Sequence, residues 1–155
     1  QGITVTPLQL ATAFSVIANG GLLMKPYIVE EVRHQDGPID NTKPREVRRL
    51  IETRTARLVS GMMVSVIEEG EGRLSRVPGY YVAGKTGTAQ IAGPGGYTDV
   101  FNHTFAGFGP ADDPKFVVVV KFEKPQVNYA SYTAAPVFRD IAKFLLQYYE
   151  VPPER

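Results

Sequence analysis

The stretch Gly79-Tyr80-Tyr81-Val82-Ala83-Gly84-Lys85-Thr86-Gly87-Thr88-Ala89-Gln90 decides the fold. Read literally, Gly79 to Thr86 satisfies G-x-x-x-x-G-K-[ST], the phosphate-binding loop that opens a helix. The physics of that loop is not met. Its backbone N–H groups must converge at a helix N-terminus, yet Tyr-Tyr-Val-Ala is bulky and strand-forming. After Thr86 the chain runs Gly-Thr-Ala-Gln-Ile-Ala-Gly-Pro-Gly-Gly, which cannot sustain a helix. No apolar strand ends in an Asp placed to hold Mg²⁺. The β-branched and aromatic content instead predicts a strand from Tyr80 to Ile91. A Lys-Thr-Gly triplet on an edge strand puts an ammonium and a hydroxyl on one face. Gly87 leaves room for a substrate to approach the backbone. The next N–H, that of Thr88, is then free to face a developing oxyanion.

Outward from this strand, Thr104 to Phe108 and Phe116 to Phe122 read as two more, rich in β-branched and aromatic residues. Gly93-Pro94-Gly95-Gly96 and Gly109-Pro110-Ala111-Asp112-Asp113-Pro114 join them, and such short turns favour an antiparallel meander. The four valines Val117 to Val120 do not alternate with polar residues, so that strand is expected to be covered on both faces. A closing helix from near Pro136 carries Val137, Phe138, Ile141, Leu145 and Tyr148 on one side and should lie across the sheet. Upstream, Thr53 to Glu69 reads as a buried helix. Its stripe is Leu58/Val59, Met62/Met63 and Val66/Ile67, with both methionines expected in the core. Thr6, Pro7 and Gln9 form a capping-box start for an N-terminal helix that Asn19-Gly20-Gly21 ends. A strand is expected at Tyr27 to Val32, and residues 34–50 read as a polar surface excursion. The fold class is α+β.

The totals exclude several functions. Lys plus Arg is 17 against 16 acids, a net charge of +1, which gives no nucleic-acid stripe and no polybasic membrane patch. Without cysteine there is no disulfide scaffold, thiolate metal site or Cys nucleophile. Two distant histidines make a zinc site unexpected, and no metal or cofactor is called for. No apolar run reaches the roughly 18 residues of a membrane span. The opening Gln1-Gly2, in place of Met, reads as a piece of something longer.

Four segments carry a resemblance. Residues 1–28 (QGITVTPLQLATAFSVIANGGLLMKPYI), 82–90 (VAGKTGTAQ), 103–110 (HTFAGFGP) and 134–141 (AAPVFRDI) resemble, in order and spacing, the class B penicillin-binding proteins. The likeness runs from residue 1 to about 150, leaving 151–155 as a tail. The Gly-Ile-Thr-Val-Thr-Pro opening is closer to the division-type branch. The resemblance implies a peptidoglycan DD-transpeptidase of the penicillin-binding-protein/β-lactamase-like fold. It implies only the C-terminal part: three antiparallel strands, the closing helix and part of the helical subdomain. It further implies a serine of Ser-x-x-Lys acylated by a D-Ala-D-Ala peptide, a Ser-x-Asn motif, and inhibition by β-lactams. Carried onto this sequence, Lys85 and Thr88 are the catalytic candidates, and Thr86, Gly87, Thr88 and Gln90 the substrate-binding ones. The expected partners are stem peptides, β-lactams and an upstream segment of the same domain. The implied site of action is the extracytoplasmic face of the cytoplasmic membrane, reached through an N-terminal anchor outside this chain.

One departure from the pattern matters. None of Ser15, Ser60, Ser65, Ser75 or Ser131 has Lys three positions on or Asn two positions on. The nucleophile is therefore expected upstream of Gln1. A DD-carboxypeptidase, a β-lactam sensor or a non-catalytic scaffold of the same fold remain alternatives. Plainer readings hold elsewhere: His34 solvated, His103 a structural hydrogen bonder at the start of a strand, Asp112 and Asp113 turn formers. Glu68, Glu69 and Glu71 read as a solvated helix end, Gly93 to Tyr97 as a flap or an ordinary hairpin loop, and Tyr129 to Tyr132 as structural.

Overall fold

A computed structural model describes residues 2–155. Helix α1 (Pro7–Ala18) begins as its capping box dictates: the Thr6 hydroxyl accepts from the Gln9 N–H at 3.2 Å, and the Gln9 side chain accepts from the Thr6 N–H at 2.8 Å. The chain then reverses through Gly20-Gly21. Gly21 has φ +103°, and a Cβ there would sit 2.0 Å from the Ile51 carbonyl oxygen, so no larger residue fits this crossing. Strands β1 (Leu22–Met24), β2 (Glu31–Arg33), β3 (Ile39–Asn41) and β4 (Glu46–Arg49) follow. They form two separate antiparallel pairs, β1 with β4 and β2 with β3, so the excursion over 34–50 is a ribbon rather than a loose loop. The strand expected at Tyr27 to Val32 is not there. Ile28 is 97% exposed, and only the last two positions of that stretch join β2; between the flanking backbone hydrogen bonds Lys25 to Arg45 and Thr42 to Glu30, residues 26–29 pair with no strand.

Helix α2 (Thr53–Glu68) leads to the central sheet, β5 (Ala83–Gly93), β6 (Gly96–Gly109) and β7 (Phe116–Glu123). The sheet is an antiparallel meander in the order β5-β6-β7, as the short turns required. β5 begins three residues later than expected, and β6 starts eight residues earlier, so the hairpin extends to the Pro94-Gly95 turn. β5 and β7 each have one edge that carries no strand among the described residues.

The two faces of the sheet have separate cores. Helix α3 (Ala134–Tyr148) lays Phe138, Ala142 and Leu146 on Phe105 and Val120, with Val118 alongside. On the other face, Met63 of α2 packs with Ala83 and Phe108, while Phe14 and Ile17 of α1 close over Val117. The valine run is thus covered from both sides, Val118 and Val120 by α3, Val117 by α1.

Two helical stripes need correction. In α2 the buried positions are Ala56, Ser60, Met63 and Ile67; Leu58 and Met62 are exposed, Met62 by 67%. Neighbouring residues on a helix point about 100° apart, so a two-residue-wide stripe cannot all face one sheet. In α3 the contact face is Ala135, Phe138, Ala142 and Leu146, while Ile141 and Tyr148 are exposed. The small alanines let the helix approach the sheet, and a reading for large apolar residues passes over them.

Candidate active site

Lys85, Thr86, Gly87 and Thr88 lie in the middle of β5, a strand with a free edge. No helix follows Thr86, so the phosphate-loop geometry is absent. Antiparallel pairing sets Lys85 opposite Ala106, Thr86 opposite Phe105, Gly87 opposite Thr104 and Thr88 opposite His103. Side chains alternate along a strand. Thr86 and Thr88 therefore share the α3 side with Phe105, while Lys85 leaves on the α2 side. The expectation that ammonium and hydroxyl share a face is thus incorrect. They meet around the open edge instead: Lys85 Nζ donates to Thr86 Oγ1 at 3.1 Å and to the Thr86 carbonyl at 3.3 Å.

The direction of the backbone follows from these bonds. The Gly87 carbonyl accepts from Thr104 Oγ1 at 3.5 Å and so points toward β6, whereas the Thr86 carbonyl, within reach of Lys85, points away. In an antiparallel ladder the N–H and C=O of one residue point the same way, and alternate residues agree. The Thr88 N–H accordingly faces the open edge, beside the Thr86 hydroxyl and the Lys85 ammonium. Gly87 has a second reason to be glycine: a Cβ there would lie 2.4 Å from Thr104 Oγ1. Gln90 is farther along β5, next to the register shift before Ala92, and its amide donates to the Thr98 carbonyl at 3.2 Å across the hairpin.

A groove of about 450 Å³ adjoins Thr86 and Thr88. Its other walls are Glu71 to Leu74, just beyond α2, and Tyr129 to Tyr132, just before α3. The second wall is tied to the strand. The Ala130 N–H donates to Thr88 Oγ1 at 3.3 Å, and His103 Nδ1 lies 2.9 Å from Thr133 Oγ1. His103 is fully buried in the middle of β6, so it does not open a strand, although its role is the structural hydrogen bond expected of it. Tyr129 and Tyr132 are exposed on the groove rather than packed. A larger cavity of about 650 Å³ lies between α1, α2 and Ala111-Asp112, and none of the candidate residues reaches it.

The segment that feeds β5 is clamped from the C-terminal end. Arg155 places two parallel hydrogen bonds of 2.8 Å on Glu68, and its guanidinium lies 4.2 Å from the centre of the Tyr81 ring. The Tyr81 N–H donates to Glu154 at 2.6 Å, and the Tyr80 hydroxyl donates to the Val151 carbonyl at 2.9 Å. Residues 151–155 are therefore docked structure. Glu68 is not a solvated helix end: its side chain is 16% exposed, with Arg76 at 3.0 Å as a second partner. Its partner Arg155 lies 87 residues away, which no local pattern announces.

The Arg155 hydrogen bond, aided by the charges of Arg155 and Arg76, holds the Glu68 carboxyl below the usual carboxylate range despite partial burial. Burial pushes Glu154 up, with Asp112 adding to the rise and the Tyr81 N–H opposing it. The signs differ. Glu68 contributes stability that is complete above its unfolded value and is lost as pH falls through its folded value. Glu154 carries a penalty above its folded value that acid relieves. Glu68→Gln is expected to weaken the clamp by about 1–2 kcal/mol at pH 7, and by progressively less as pH falls below 4.5, the ordinary glutamate value. Amide hydrogen exchange at Tyr80 and Tyr81, measured at pH 7 and near pH 3, checks this. An equal effect at both values would contradict it.

The family follows from comparison of the whole chain. The model of the penicillin-binding protein transpeptidase domain matches residues 1–143. The chain belongs to this family. Among its relatives, penicillin-binding protein PbpB of Mycolicibacterium smegmatis is 38% identical over 98% of the chain. Stage V sporulation protein D of Bacillus subtilis is 37% identical over all of it. The chain spans only about a quarter of each relative, 26% and 25% respectively. A crystal structure of penicillin-binding protein 3 from Mycobacterium tuberculosis superposes with a TM-score of 0.90 at 34% identity. That match covers 100% of this chain and 38% of the other. A second structure of the same protein, complexed with ampicillin, gives 0.87. The architecture is thus that of the transpeptidase fold, with the three-stranded sheet and closing helix that the resemblance implied.

Proposed function

We propose that this part of a transpeptidase domain binds the donor of a serine acyl transfer and stabilises its transition state. The donor is a peptidoglycan stem peptide ending in D-Ala-D-Ala, and β-lactams take its place. The observation that carries the reading is the open edge of β5, where the Thr88 N–H, the Thr86 hydroxyl and the Lys85 ammonium converge. A donor lying along that edge adds as an extended strand. Lys85 supplies the charge for its terminal carboxylate and joins the proton network. Thr86 and Thr88 offer hydroxyls to the same carboxylate, although the Thr88 hydroxyl already holds the Ala130 N–H. The Thr88 N–H is one donor of the oxyanion hole, a class of contact whose loss costs about 10²–10³ in turnover. Gly87 keeps the backbone accessible, and Gln90 extends the contact along the strand.

The chemistry needs a serine from another segment. Its hydroxyl adds to the penultimate D-Ala carbonyl, the C–N bond to the last D-Ala breaks, and the leaving amine takes the proton. An amine from a neighbouring stem peptide then displaces the serine oxygen, forming the cross-link. We assign the serine and the Ser-x-Asn motif to the reading frame before Gln1, together with an N-terminal membrane anchor. The domain then acts on the extracytoplasmic side. The Gly2-Ile3-Thr4-Val5-Thr6-Pro7 opening supports a division-type enzyme.

Fluorescent penicillin tests the assignment. A polypeptide carrying this chain with its upstream segment should be labelled covalently, and the 155 residues alone should not. Labelling of the short chain would overturn the assignment of the serine. Absence of labelling in the long one, with Ser-x-x-Lys missing from its frame, would favour a non-catalytic scaffold.

A further inference from the structure

We propose that the groove beside β5 takes a second carboxylate, carried on a side arm of the substrate, and that Arg73 is the residue that holds it. The proposal rests on the donor-binding reading of the β5 edge given above.

Among the described cations around the groove and the segment that feeds β5, which are Arg73, Arg76, Lys85 and Arg155, Arg73 is the one without a partner. Arg76 and Arg155 both pair with Glu68, and Lys85 lies 3.7 Å from Glu71. Arg73 lines the groove and makes no ion pair or hydrogen bond through its guanidinium among the described residues. Glu71 is the one acid on the groove wall, and its carboxylate is on the Lys85 side. Arg73 and Glu71 are the charged residues of the lining, and the Lys85 ammonium draws the Glu71 carboxylate to itself, which leaves Arg73 as the uncompensated charge of the groove. An unpaired planar guanidinium in a recess matches a carboxylate, which it can take by two parallel hydrogen bonds.

The position relates this charge to the substrate. Thr86 and Thr88 form both the floor of the groove and the candidate donor edge. A ligand whose terminal carboxylate is held at Lys85 and Thr86 therefore has its side arm beside the groove. Tyr129 and Tyr132 flank the recess with exposed rings, which accept the apolar part of an arm and leave its charged end to Arg73. That wall is held in place by the Ala130–Thr88 and Thr133–His103 hydrogen bonds, so the recess is preformed. The fit is to a peptide with an acidic side arm in addition to its C-terminus.

Carbenicillin is benzylpenicillin with one more carboxylate, on the side arm, and this matched pair tests the proposal. The readout is the second-order acylation rate constant of each probe, in the polypeptide that includes the upstream segment. For Arg73→Gln the carbenicillin-to-benzylpenicillin ratio should fall about fivefold, the scale of a partly exposed charge pair. It should fall further for Arg73→Glu and be largely kept by Arg73→Lys. Arg73 is exposed, so these variants leave the core untouched. A ratio unchanged in both Arg73→Gln and Arg73→Glu would overturn the proposal. So would an equal slowing of both probes, which would move Arg73 to the carboxylate that the two share. Failure of the wild-type polypeptide to react with either penicillin would instead defeat the donor-binding reading itself.

Discussion

Replacing Lys85 by Met, in the polypeptide that includes the upstream segment, should slow acylation by benzylpenicillin about 10³-fold. Two contributions combine. The ammonium is the charge within 3.1 Å of the Thr86 hydroxyl at the open edge, so its loss removes the counter-ion for the substrate carboxylate. It also removes a member of the proton network, and positioned proton transfer alone contributes about 10²–10⁴. The Lys85 side chain is 51% exposed and packs against no core residue, so the loss is not an unfolding effect. The variant should melt within a degree or two of the parent. Thr86→Val, which removes one neutral hydroxyl donor to the carboxylate, should cost only about tenfold by the same measurement. If Lys85→Met reacts within tenfold of the wild type, the catalytic role assigned to Lys85 is wrong.

The largest effect on stability is expected from Phe138→Ala. Phe138 is fully buried at the centre of the α3 core, with its ring centroid 4.6 Å from that of Phe105. Gly107 lies beneath the ring, and a Cβ there would come within 2.8 Å of it, so the helix sits as close to β6 as backbone allows. Removing a ring from such a site costs about 3–5 kcal/mol, because neighbours this tightly fixed cannot collapse into the space. That is a large part of the roughly 5–15 kcal/mol that holds a domain folded. Denaturant unfolding of the transpeptidase domain should show the midpoint displaced accordingly. Phe105 is the cross-strand partner of Thr86, so the remaining acylation at low temperature should also fall modestly. A loss under about 1 kcal/mol would mean that α3 is not the cover of this sheet face.

These two residues differ in how far their roles can be read from sequence. Lys85 is legible, because a Lys-Thr-Gly triplet between Ala83-Gly84 and Thr88-Ala89-Gln90 leaves few conformations open. Glycine-rich, helix-breaking residues follow it, and strand is the state that remains. Phe138 is legible as a core residue of a helix, but its partners are not. The face of α3 was set by Ala135 and Ala142 as much as by the large side chains, since small residues determine how closely a helix can approach. Likewise Leu58 and Met62 carry the same apolar signal as Val59 and Met63, and only the direction of the sheet decides which pair is buried.

The site divides in the same way. Its strand, its open-edge N–H and its glycine follow from local chemistry and pairing. The groove does not, because it joins three segments that sequence leaves far apart: residues after α2, the middle of β5 and the turn before α3. Arg73 and Tyr132 carry no pattern that marks them. The Arg155–Glu68 clamp is of the same kind, a pair brought together across 87 residues by the return of the chain past Tyr80 and Tyr81.

By itself, then, the sequence determined the meander, the capped first helix and the placement of Lys-Thr-Gly on a strand. All three depend on residues that are neighbours along the chain. Tertiary structure alone decided which helix faces are buried, that Lys85 and Thr86 meet around an edge rather than on a face, and that an unpaired arginine stands beside them. Those facts depend on the relative placement of distant segments, which is fixed by packing and not by any local preference.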